Sequence, residues 1–243
     1  MSVRMSWATA LRVLRQLRHD PRTIALLLLV PCVLQVLVHE LVTARPQVFQ
    51  SLGIPLLGLF PFVAMFIVTS ITMLRERTTG TLERLLTTPI ARGDLLVGYG
   101  IAFAFVAAAQ ATLVSLVSFG LLGLEADYRL AVVALAIANA VLGMALGLFA
   151  SAFARTEFQA VQFMPAFVLP QILLCGLLVP REEMASWLQA LAAVMPLTYA
   201  YDALARLARA DLDARFWLDV VVVVGVTLGA LALGAATLKR RTA

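Results

Sequence analysis

The sequence predicts an all-α membrane protein, and three observations predict it. Of 243 residues, 62% are hydrophobic and only 14% are charged, whereas a soluble domain carries roughly a quarter charged residues. The apolar residues gather into six runs, each near the length of about 20 residues that a helix needs to cross a bilayer. The ten-residue alternation of a membrane β-barrel is missing from these runs, so helices are the way to satisfy the backbone in lipid.

Residues 1–22 read as an interfacial helix. Over 3–19, Val3, Trp7, Leu11 and Leu14 recur at helical spacing on one face, and Arg4, Arg12, Arg15 and Arg18 on the other, which suits a helix lying along an anionic leaflet. Spans are expected over about 24–42 and 54–74, separated by an Arg45-Pro46-Gln47 turn. Two more, about 95–122 and 130–153, form a helical hairpin through Glu125-Ala126-Asp127-Tyr128-Arg129. A fifth run, about 158–179, contains Pro165 and Pro170, which predict kinks. The sixth covers about 216–238. Residues 1–243 therefore read as a single transmembrane domain without an internal repeat. Cys32 and Cys175 sit inside apolar runs, where cysteine acts as a small hydrophobe. Pro31 before Cys32 is a poor fit to a lipoprotein leader, so the first hydrophobic segment reads as a retained anchor.

The basic residues set the orientation. With the N-terminus inside, the cytoplasmic side receives Arg4, Arg12, Arg15, Arg18, Arg22, Arg75, Arg77, Arg84, Arg92, Arg155, Lys239, Arg240 and Arg241, 13 of the 19. Both termini are thus expected in the cytoplasm, with the chain in the cell inner membrane. The formal charge of +5 is scattered between apolar runs, a topology signal and not a nucleic-acid surface.

Several functions are disfavoured. The one lysine, Lys239, lies in the C-terminal tail, so a Gly-x-x-x-x-Gly-Lys-Ser/Thr phosphate loop cannot be built and ATP hydrolysis is not expected of this chain. His19 and His39 are far apart, and no His, Cys or carboxylate cluster has ligand spacing, so neither metal nor cofactor is expected. No catalytic constellation is present. Glu40 and Asp219, near span ends, read as snorkelling residues, and the lack of charges deeper in the spans disfavours an ion-coupled transporter. An ATPase-independent channel or secondary transporter is the alternative. The neutral polar residues Gln35, Gln110, Asn139, Gln159, Gln162 and Gln171 either hydrogen-bond neighbouring helices or mark a substrate path. The candidate path residues are Gln110, Asn139, Gln162, Phe163, Phe167 and Gln171, and Gly143 and Gly147 suit close helix packing.

The segment MLRERTTGTLERLLTTPIARGD, residues 73–94, follows an apolar run directly. Gly80 can cap a helix with Glu83 in its first turn, and Leu82, Leu85 and Leu86 share one face until Pro89. Arg77, Arg84 and Arg92 rim that stripe. So short a helix is marginal alone and suits either a groove in another protein or the headgroup surface.

Arg75-Glu76-Arg77, then Gly80-Thr81-Leu82-Glu83-Arg84-Leu85-Leu86 and Thr88-Pro89, resembles the signature of ABC-2 type transporter permeases, particularly the daunorubicin-resistance and nodulation-export branch. Pro180, Met184, Trp187-Leu188-Gln189, Met195-Pro196-Leu197-Thr198-Tyr199 and Ala203-Leu204 resemble the family's pattern before its last span. The resemblance covers nearly the whole chain. It implies a half-transporter in which two membrane subunits, copies or relatives, work with separate ATPase subunits that bind ATP and Mg. Residues 3–19 would be the connecting helix, and Gly80 to Thr88 the coupling helix. Arg75, Glu76, Arg77, Gly80, Thr81, Leu82, Glu83, Arg84, Leu85, Leu86 and Pro89 would meet the ATPase. Residues 181–210 would form short external helices. The implied substrate is a hydrophobic drug, antibiotic or lipid-like molecule, with polysaccharide or lipo-oligosaccharide export as the alternative within the family.

Overall fold

A computed structural model describes residues 3–79 and 92–237. Helices run in the order α1 (Val3–Arg18), α2 (Pro21–Leu41), α3 (Pro46–Thr78), α4 (Arg92–Gly120), α5 (Arg129–Ala150), α6 (Glu157–Phe163), a π turn (Met164–Val168) and α7 (Leu169–Leu174). After a 3-10 turn (Arg181–Glu183) come α8 (Ser186–Ala193), α9 (Pro196–Ala208) and α10 (Ala214–Ala236). No strand occurs among the described residues, as the composition predicts. Local chemistry sets the boundaries. The Asp20 carboxylate accepts from the Thr23 amide at 3.2 Å ahead of Pro21, and Asp213 accepts from Phe216 at 2.9 Å at the start of α10, each meeting an amide the helix leaves unpaired.

Among the described residues, α2, α3, α4, α5 and α10 are long and apolar enough to cross a membrane. The fifth expected run differs. Pro165 and Pro170 cannot donate backbone hydrogen bonds, and between them the helix widens, Leu169 donating to Met164 five residues back. Gly176 then adopts φ +102, a left-handed conformation that ends the run early. From Glu157 to Leu174 the three pieces would extend roughly 27 Å if straight, just under the roughly 30 Å hydrocarbon core. Conversely, α3 has 33 residues, about 50 Å of helix, because Pro46 at its first position starts it before the apolar stretch begins. The helix is thus longer than the roughly 30 Å hydrocarbon core, and its last turn carries Arg75, Glu76 and Arg77.

The core is the crossing of α3 and α5. A Cβ on Gly143 would lie 2.2 Å from the Phe62 carbonyl oxygen, and one on Gly147 2.4 Å from that of Phe66. Two glycines four residues apart therefore let α5 lie on the α3 backbone, the small-residue geometry of membrane helix pairs. Thr69 Oγ1 also donates across the crossing to the Met144 carbonyl at 3.2 Å.

The interfacial helix departs from its two-faced expectation. Ser6, Thr9, Ala10, Val13 and Leu17 of α1 are buried, and Gly98 of α4 approaches so closely that a Cβ there would stand 2.7 Å from the Ser6 carbonyl oxygen. Trp7, Val3 and Leu11 stay exposed. A third face thus docks α1 on α4, leaving Val3, Trp7 and Leu11 with Arg4, Arg15 and Arg18 exposed, as suits lipid and headgroups.

Candidate functional site

At the α1 end of the bundle, the final turn of α3 meets four other elements. Arg75 makes a bidentate pair with Glu157 at the start of α6, Nε to Oε1 at 2.7 Å and Nη2 to Oε2 at 3.0 Å. That arginine holds the Glu157 carboxyl below its ordinary range. Arg77 Nη2 donates to Thr237 Oγ1 at 3.4 Å, just past α10. Glu76 points inward and is 3% exposed. It continues the buried stripe of Phe62, Phe66, Thr69 and Met73, the i, i+4, i+7 positions of one helix face. The Arg12 guanidinium stands 3.7 Å from Glu76 Oε2, donates to the Tyr99 hydroxyl and lies 5.7 Å from the Tyr99 ring centroid. Beside this group, Gln16, Asp20, Thr23, Arg75 and Thr79 line a cleft of about 360 Å³, and Thr23 holds the Asp20 carboxyl below its usual range. Gly80, Thr81, Leu82, Glu83, Arg84, Leu85, Leu86 and Pro89 lie outside the described residues.

The candidate path residues separate into two groups. Gln110, Asn139 and Gln171 are buried. Pro31 has no N–H to donate to the Leu27 carbonyl one turn back, and Gln110 Nε2 of α4 donates to that oxygen instead. Gln171 Nε2 donates to the Phe167 carbonyl at 2.9 Å, while its Oε1 accepts from Leu197 N of α9 at 3.3 Å. Asn139 packs where α3 has Gly58. Each acts between helices, as does Gln35, which donates to the Gly53 carbonyl at 3.0 Å. Gln162 and Phe163 instead line an open cleft of about 300 Å³ with Phe153, Arg155 and Gln159, and Phe167 on the next turn is 56% exposed.

The opposite end holds a cleft of about 700 Å³ between the start of α3 and α9, lined among others by Gln47, Gln50, Arg181, Glu182, Tyr201 and Asp202. Arg181 hydrogen-bonds and ion-pairs with Asp202. Burial nevertheless pushes the Asp202 carboxyl up to about 6, Arg181 only partly opposing it. Nearby, Arg206 of α9 pairs with Asp213 at 3.0 Å and with Asp219 of α10 at 3.5 Å. Asp219 is therefore not the snorkelling residue expected from its place near a span end. It is 6% exposed and held inward by Arg206, a partner on another helix that sequence spacing does not reveal.

A family model described as ABC-2 type transporter matches residues 6–207. The chain is 30% identical over 150 residues to the probable multidrug ABC transporter permease YbhR of Escherichia coli K12, across 60% of this chain and 40% of that protein. It is 31% identical over 137 residues to the probable multidrug ABC transporter permease YbhS of the same organism, across 55% and 36%. To ABC transporter G family member 20 of Dictyostelium discoideum it is 25% identical over 147 residues, across 60% and 20%. The matches thus span well under half the length of these relatives. With a family match over most of its length and an all-helical body of membrane-spanning helices, the chain belongs to the ABC-2 type transporter family.

Proposed function

We propose that this chain is the permease subunit of an ATP-driven exporter, pairing with a second permease and taking its energy from a separate ATPase that docks on the segment from Arg75 to Arg92, Glu76 excepted because its carboxylate is buried. The carrying observation is the last turn of α3. It carries the signature Arg75-Glu76-Arg77 on a helix longer than the hydrocarbon core, at the same end as α1 and the start of α4. Among the described residues, Arg12, Arg75, Arg77 and Arg155, all expected inside, fall at that end, which supports its being cytoplasmic in an inner membrane. The broken run from Glu157 to Leu174 makes the sixth crossing in this reading.

A hydrophobic drug-, antibiotic- or lipid-like substrate fits best. The relatives' names support it, as does the open cleft that Gln162 and Phe163 line, with Phe167 exposed on the next turn. Assignment to the daunorubicin-resistance and nodulation-export branch rests on the 75–89 signature. ATP-driven closure of the partners favours an outward-open state only through contacts that differ between the states.

The test is co-purification of the chain with its ATPase, together with vanadate-sensitive efflux of a hydrophobic dye from proteoliposomes. Leu85→Glu with Arg84→Glu abolishes both. Retention of both refutes the docking assignment, and dye flux without any ATPase refutes the energy source.

A further inference from the structure

The two helix ends that bracket residues 80–91 are joined to each other and to α1 by one buried side-chain group. Glu76 lies two residues from the end of α3, and Tyr99 two turns into α4, on the two helices that flank that segment in sequence. Tyr99 is wholly buried, Arg12 of α1 donates to its hydroxyl, and the same guanidinium stands 3.7 Å from Glu76 Oε2. Tyrosine suits this place because its hydroxyl accepts and donates at once. Its ring face also receives the guanidinium.

The group is incompletely closed. Arg12 Nε and Glu76 Oε2 have no hydrogen-bond partner among the described residues, and their ion contact is 3.7 Å, longer than a charge-assisted hydrogen bond of about 2.7–2.9 Å. Glu76 is buried and Arg12 half-buried, so the carboxylate, cut off from water, gains from any small approach that forms the missing bond. Close packing of Gly98 against Ser6 and Thr9 one residue away leaves tilting of α1, or a shift of the α3 end, as the available movement.

We propose that Arg12, Tyr99 and Glu76 form a three-helix clasp that fixes α1 against the stems of residues 80–91, so that displacement of those stems moves α1. The inference rests on the coupling role proposed for that segment and adds the positioning residues that pass its motion on. None of the three need touch substrate or ATPase.

Spin labels on cysteines at Arg15 of α1 and Val97 of α4, both exposed, with Cys32 and Cys175 replaced by alanine, report the α1–α4 distance by pulsed EPR in nanodiscs. The expected result is a narrow distribution in the otherwise native chain. Arg12→Gln and Glu76→Gln each broaden it and lower vanadate-sensitive efflux at least fivefold while ATPase co-purification persists. The double variant is no worse than the poorer single, because it leaves no lone buried charge. Tyr99→Phe, which keeps the ring volume, gives a smaller broadening. Narrow distributions in the single variants, or a double variant whose losses multiply, overturn the clasp. Failure of the native chain to bind any ATPase refutes the coupling role, and the distance measurements still decide whether the clasp holds α1.

Discussion

Gly143→Ala probes the crossing on which the bundle is built. The added Cβ meets the Phe62 carbonyl oxygen at 2.2 Å and the Phe62 C and Cα atoms at 2.9 Å. These are backbone atoms, so no rotamer change removes the clash. Reaching ordinary contact, 3.4 Å or more, requires α3 and α5 to separate locally by about 1 Å. Overpacking of this kind costs about 1–3 kcal/mol, and the Thr69 to Met144 hydrogen bond at 3.2 Å adds roughly 0.6–1.7 kcal/mol if the separation breaks it. Alanine's helix propensity returns about 1 kcal/mol. The net loss is therefore roughly 1–3 kcal/mol, a fall in Tm of several degrees or more. Gly225→Ala and Gly229→Ala on α10 are the controls, since a Cβ at either meets nothing within 4 Å, and these keep or raise the Tm. The assay is thermal unfolding of the purified chain in one detergent. A Gly143→Ala protein that melts with the controls refutes the packing argument.

Three further outcomes follow from particular contacts. Gln110→Leu lowers stability by about 1 kcal/mol by uncapping the Leu27 carbonyl, and loses less in a Pro31→Ala background, where a backbone N–H again reaches that oxygen; a double-mutant cycle by thermal unfolding measures the coupling. Asp202 binds its proton more tightly folded, at about 6, than at its ordinary 3.8, so its contribution to stability is complete below about pH 4 and is lost as pH rises through about 6. The difference is about 3 kcal/mol, and Asp202→Asn removes that part of the Tm–pH profile. Gln162→Leu, at an open cleft, changes dye efflux while leaving the Tm within about a degree.

Much of the fold was legible because lipid imposes long apolar helices, and apolar length survives in any reading of the chain. The α3 start was missed because Pro46-Gln47 looks like a turn by polarity, although proline at a first helical position is equally a start. Pro165 and Pro170 announced the break in the fifth run, while its early end at Gly176 depends on a backbone angle that composition does not encode. Glu76 was grouped with its arginines as a docking charge, yet its spacing from Met73, Thr69, Phe66 and Phe62 placed it on the buried stripe, so the signal for an inward carboxylate was present. The partners Arg12 and Tyr99 lie 64 positions before and 23 after Glu76, and only the packing of three helices brings them together.

The neutral polar residues of the spans argue about where a substrate passes. Prolines in membrane helices free carbonyls that other groups must satisfy, and Gln110 does so for the Leu27 oxygen that Pro31 leaves open. Gln35 and Gln171 likewise spend their amides on other backbone atoms, and Gly143 and Gly147 close the α3–α5 seam to backbone contact. Gln35, Gln110 and Gln171 thus each bond a backbone atom of a neighbouring helix. Gln162 on the interrupted run faces outward beside Phe163 and exposed Phe167, and an amide facing lipid is unfavourable without a partner.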